Sequence, residues 1–152
     1  MKRVILSLSL IVLLAIGGFS FAEETAQPAN ATQTVETAPE GPVTIAYYFY
    51  NTIRCKSCLA IESMSHAVIE TDFADDVAGG KLVWQMKNLD EDENAHFIDD
   101  YKLYTKSLVL VEYQNGEQTR WKNCTRVWEL LNDETKFKQY VHDEVAAFLA
   151  KQ

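Results

Sequence analysis

The sequence predicts an α/β domain: a mixed four-stranded sheet with helices on both faces. Three observations carry this. Val43 to Tyr50 is an apolar run bounded by polar turns, and a helical pattern follows it. A second strand pattern, Lys81 to Leu89, lies beyond that helix, which makes a helical crossover between parallel strands. An Asn-Gly pair, Asn115-Gly116, then joins two further strand patterns and marks a hairpin.

The elements follow in order. In the first strand Val43, Ile45, Tyr47 and Phe49 share one face, with Ala46 and Tyr48 on the other. Apolar residues on both faces predict a central strand. The next pattern, Lys56 to about Asp75, places Ile61, Met64 and Val68 at helical spacing, a core stripe in which Met64 is filler. Gly79-Gly80 ends it. Lys81 to Leu89 alternates Leu82, Trp84, Met86 with Val83, Gln85, Lys87.

Asp90 is read as the cap of a helix running to about Leu103, with Phe97, Ile98 and Tyr101 inward. The six acids from Asp90 to Asp100 lack the spacing of an EF-hand and read as a solvated face. Ser107 to Tyr113 is a third strand and Gln118 to Lys122 an antiparallel fourth. Asn123 is expected to cap a short helix with Val127, Trp128 and Leu131. Asp133 starts the last helix, where Phe137, Val141, Val145 and Phe148 recur at steps of four, four and three.

Ahead of this domain, residues 1–22 have the layout of a secretory signal. Lys2 and Arg3 precede the apolar run Val4 to Ile16, and Ser20-Phe21-Ala22 is a small-x-small cleavage site. Left uncleaved, the segment would be a membrane anchor. Residues 23–42 are rich in Ala, Thr, Glu, Gln and Pro and read as a flexible linker. The folded domain is then 43–152. Removing the leader leaves 12 Lys and Arg against 22 Asp and Glu, a net charge of −10. So acidic a chain is not expected to bind nucleic acid. The expected location is extracytoplasmic, such as a periplasm. Two matches to the glycosylation sequon, at Asn30 and Asn123, are too short to carry weight.

The chemistry centres on Cys55-Lys56-Ser57-Cys58, between the first strand and the first helix. Two thiols at i and i+3 can close a small disulfide ring. The first sits where free backbone N–H groups stabilise a thiolate, and Arg54 adds positive charge. Cys55 is expected to be the exposed, lower-pKa thiol and Cys58 the more buried one. In an exported chain, three cysteines leave one over, Cys124. The topology puts Cys124 at the same sheet edge, with one strand between, so that two inter-strand spacings leave the strand ends roughly 10 Å apart. A direct disulfide needs Cα atoms within about 7 Å. Two readings of Cys124 stay open: an inert cysteine packed near Trp121 and Trp128, or a third thiolate, at a helix N-terminus, joining Cys55 and Cys58 around a soft ion. His66, His96 and His142 fall on three different helical patterns without ligand spacing.

The β-α-β-α-β-β-α order with Cys-x-x-Cys after the first strand resembles the thioredoxin-like fold in its short, glutaredoxin-type form, over residues 43–150. In that family the first cysteine attacks and the second resolves the mixed disulfide, roles that fall on Cys55 and Cys58. Two features depart from the family. Its tryptophan before the first cysteine is Arg54 here. Its cis-proline before the third strand is missing from Tyr104-Thr105-Lys106-Ser107-Leu108, the three prolines being Pro28, Pro39 and Pro42. In the family that proline shapes the substrate groove and keeps metals off the dithiol, so its absence favours metal or metalloid capture.

The stretches from Tyr47 to Glu62, Tyr104 to Leu110 and Trp121 to Leu131 are similar to the ArsF family, labelled a nitrophenyl-compound nitroreductase subunit and linked to arsenic-resistance gene clusters. Nothing in the sequence resembles a flavin site. The resemblance therefore implies an electron-relay or partner-binding subunit in arsenical or nitroaromatic handling. Two functions are expected from these readings. The first is thiol–disulfide redox by Cys55 and Cys58, with no cofactor beyond the redox-active disulfide, serving a membrane or exported protein partner. The alternative is binding of arsenite, Cu(I) or another soft metal or metalloid ion by Cys55, Cys58 and Cys124.

Overall fold

The computed structural model describes residues 41–152; the expected leader and all but the last two residues of the linker lie outside them. The elements are β1 (Val43–Tyr50), α1 (Lys56–Asp72), α2 (Ala74–Ala78), β2 (Leu82–Asn88), α3 (Phe97–Asp100), β3 (Ser107–Gln114), β4 (Glu117–Asn123) and α4 (Glu134–Leu149). They form a mixed α/β domain whose sheet order is β2-β1-β3-β4. β1 runs parallel to β2 and antiparallel to β3, and β4 is antiparallel to β3. Among the described residues no helix is long and apolar enough to cross a membrane.

β1 is buried on both faces, as its two apolar faces require. Ala46 and Tyr48 join Leu108 and Leu110 against Ile61, Val68 and Ile69 of α1 and the four-residue stripe of α4. Tyr47 and Phe49 join Val109 and Val111 on the opposite face, under Leu89, Tyr101 and Leu103. The Asn-Gly turn forms as expected: Asn115 has φ 53° and Gly116 φ 82°, the left-handed pair that a tight hairpin demands.

Three expectations needed correction. The first helix stops at Asp72. Phe73 leaves helical geometry and turns its ring into the core, 5.1 Å from the His142 ring, before α2 begins. The helix expected from Asp90 to Leu103 is only a 3-10 turn, Asp92–Asn94, and the single turn of α3. Asp90, its expected cap, is drawn to the Asn51–Thr52 loop instead. Asn94 also spends its side chain on Asn88 O and Glu91 Oε2 rather than on a helix. Phe97 and Tyr101 do pack inward, but Ile98 is 42% exposed. Finally, Asn123 caps nothing: it ends β4, and the N–H of Cys124 continues the ladder to Leu108 O at 2.8 Å. Only a 3-10 turn, Thr125–Val127, follows.

The exposed edge strand β4 is tied back to α4 by one buried charge. Glu112 of β3 accepts from Arg120 Nε at 3.0 Å and from Thr119 Oγ1 at 2.6 Å. Arg120 Nη2 also donates to Phe148 O at 2.8 Å, and the guanidinium lies 4.1 Å from the Phe148 ring centroid. The arginine holds the Glu112 carboxyl below its ordinary range. Asp133 caps α4 as expected, its carboxylate accepting from Lys136 N at 3.1 Å.

Candidate redox site

β1 delivers the chain to one edge of the sheet, and the loop Asn51 to Arg54 hands it to α1. Cys55 is the N-cap of α1. Its φ of −91° and ψ of 160° are extended, and its Sγ accepts from Cys58 N at 3.0 Å. Cys55 and Cys58 form a disulfide with Cα atoms 5.0 Å apart. Cys55 is exposed and Cys58 is 2% exposed, the asymmetry the helix register predicts. The first turn of α1 contains no acid to oppose a thiolate at Cys55.

Two polar contacts fix this junction, and neither was read from the sequence. The fully buried Tyr48 reaches across from β1 and donates its hydroxyl to Cys58 O at 2.7 Å. Asp90, expected to cap a helix, turns the other way. It accepts from Thr52 N at 2.8 Å and from Asn51 Nδ2 at 2.5 Å. Asn88 Nδ2 adds a bond to Thr52 Oγ1 at 3.1 Å. The turn after β2 therefore grips the loop that presents Cys55. Hydrogen bonding from Thr52 and Asn51 holds the Asp90 carboxyl below its ordinary value. Parallel pairing of Tyr50 with Asn88 brings the two loops together, which sequence spacing alone does not reveal.

Cys124 lies at the same end, in the row Tyr48–Leu108–Cys124. It is 0% exposed within the core cluster shared with Val127 and packed by Trp128. Trp121, expected beside it, faces the other side of the sheet, its ring 5.4 Å from that of Tyr101. The expected thiolate-favouring helix end is a three-residue turn, and burial decides instead, pushing the Cys124 thiol up to about 12. Among the described residues no group of three Cys, His, Asp or Glu side chains is placed to hold a metal ion. His66 pairs with Glu70, His96 with Asp100 and His142 with Asp72, at three separate places on the surface.

A direct consequence is selective labelling. At pH 8 a thiol that titrates near 12 is ionised to about one part in ten thousand. Iodoacetamide is expected to modify Cys55 first in the reduced, folded protein, and Cys124 only after denaturant is added. Peptide mass mapping reads the order, and early modification of Cys124 would contradict its burial.

The fold and site together define an α/β domain with a Cys-x-x-Cys disulfide at a strand–helix junction. No family model matches the chain, and no curated protein matches it. Among solved structures, one described as "Structure of a malarial protein" is similar at 15% identity and a TM-score of 0.34, over 53% of this chain and 80% of that one.

Proposed function

We propose that this chain is an exported thioredoxin-like protein whose Cys55 and Cys58 cycle between disulfide and dithiol to serve a protein partner. The observation that carries the reading is the disulfide at the N-terminus of α1, with Cys55 exposed and Cys58 buried. An incoming partner thiolate attacks Cys55 Sγ. The Cys55–Cys58 bond breaks, and Cys58 leaves as a thiolate and takes up a proton. A second partner thiolate then attacks the partner sulfur of the mixed disulfide and expels Cys55. The partner is oxidised by two electrons and the cysteine pair reduced by two. Running in reverse, Cys55 thiolate attacks a partner disulfide and Cys58 closes the ring.

Three exposed apolar side chains at this end of the domain suit a protein partner. Ile53 is 85% exposed two residues before Cys55, and Leu59 is 47% exposed in the first turn of α1. Tyr104 is 98% exposed in the loop leading to Ser107, which pairs with Phe49 at the end of β1. On its similarity to the ArsF family, we read the chain as an electron-relay or partner-binding subunit in arsenical or nitroaromatic handling.

The test is a redox titration in glutathione and dithiothreitol buffers, read by thiol alkylation and intact mass. A Cys55–Cys58 couple between about −120 and −270 mV is expected, the range of thiol oxidoreductases. A disulfide that resists reduction below about −300 mV is structural and overturns the reading. Arsenite that protects all three thiols from alkylation together would overturn it in favour of a soft-ion site at Cys55, Cys58 and Cys124.

A further inference from the structure

The charge next to the disulfide is not a free one. Arg54 Nη2 is in contact with Glu62 Oε2, and the guanidinium lies over the Tyr50 ring, 4.3 Å from its centroid. Both contacting atoms, and Arg54 Nε, are shut off from solvent. Arg54 Nε has no hydrogen-bond acceptor in this disulfide state. Along the chain Arg54 directly precedes Cys55, and Glu62 lies four residues after Cys58, on the same side of α1. A cation and its counterion are thus partly buried, each side chain 23% exposed, at the residue before Cys55, where their effect on a nearby charge is screened less than at an open surface.

We infer that Glu62 is a positioning residue for the redox pair: it anchors the guanidinium of Arg54, the residue before Cys55, and offsets part of the charge that would stabilise a Cys55 thiolate. The inference rests on the redox reading above. Reduction by glutathione at neutral pH converts the disulfide and two glutathione thiols into a Cys55 thiolate, a Cys58 thiol, one glutathione disulfide and one released proton. The disulfide is neutral, so the Arg54–Glu62 pair discriminates little against it. The thiolate is an anion formed one residue from Arg54. The arginine favours the reduced state and Glu62 disfavours it. Glu62 therefore sets how readily this protein accepts electrons.

The experiment measures the glutathione equilibrium and the rate of Cys55 alkylation at pH 7. It compares wild type, Glu62→Gln, Arg54→Met and the double variant, with thermal melting as a check on folding. Glu62→Gln keeps the shape and an acceptor oxygen but removes the anion. It is expected to shift the equilibrium toward the dithiol by about tenfold, or about 30 mV for a two-electron couple, and to speed alkylation. Arg54→Met is expected to shift both the opposite way, with the double variant between. Values unmoved in Glu62→Gln, even with a lowered melting temperature, reduce the pair to a clamp between loop and helix and overturn the inference. So does a shift in the same direction as Arg54→Met. Should Glu62→Gln not fold, Arg54→Met alone decides, since an unchanged equilibrium there also overturns it. A wild-type disulfide that glutathione cannot reduce overturns the redox reading itself. A reducible wild type with an unmoved Glu62→Gln overturns only the role of Glu62.

Discussion

Replacing Cys55 by serine is expected to abolish thiol–disulfide exchange, lowering the rate by more than about a thousandfold, the scale on which loss of a covalent nucleophile acts. Cys55 is the exposed partner of the pair and the N-cap of α1, while Cys58 is 2% exposed beneath it. An attacking sulfur from another protein is therefore expected to meet Cys55 first. Cys58→Ser is expected to behave differently. It keeps the nucleophile but cannot resolve the mixed disulfide, so covalent adducts with the partner accumulate. These show as a mass increase that dithiothreitol removes. Cys124→Ser is expected to leave the exchange rate near wild type, because its sulfur is 0% exposed in the core. Reduction of an insulin-like disulfide substrate, followed by turbidity, separates the three variants. Equal rates in wild type and Cys55→Ser would remove the proposed mechanism.

The second large effect is on folding. Phe137→Ala is expected to destabilise the domain by about 3–5 kcal/mol, the cost of truncating a buried phenylalanine and leaving a cavity. Phe137 is 0% exposed and packs with Val141, Val145 and Phe148 against Tyr48, Leu108 and Leu110 of the sheet. Single domains have about 5–15 kcal/mol in all, so the variant loses a large part of its stability. Urea unfolding followed by circular dichroism measures it. A loss under about 1 kcal/mol would mean that α4 is not the main cover of this face. The same packing holds Tyr48, whose hydroxyl bonds Cys58 O, so the loss is expected to reach the disulfide as well.

The regular elements were legible because their cause is local. Alternation in β1 and the four-four-three stripe of α4 are periodicities that burial imposes on the chain itself. The Asn115-Gly116 turn needs left-handed backbone that these residues supply cheaply. The Cys55–Cys58 ring spans one helical turn and its sulfurs are neighbours in sequence. Where helices were misjudged, the deciding contact was distant. Phe73 breaks α1 to meet the core and His142, sixty-nine residues on. Asp90 leaves the helix it was expected to cap in order to bond Asn51 and Thr52.

By itself, then, the sequence determined the four strands, the first and last helices, the hairpin and the position of the cysteine pair. Each follows from spacing along a few residues. The tertiary structure alone decided the environment of each sulfur. Cys124 could be read as inert filler or as a third thiolate; Val127, Trp128 and the α4 stripe pack around it, and desolvation penalises its thiolate more than a short turn favours it. Arg54 looked like a free charge, yet Glu62 and Tyr50 hold it. Charge and reactivity depend on what surrounds an atom in space, and the elements that surround these come from separate parts of the chain.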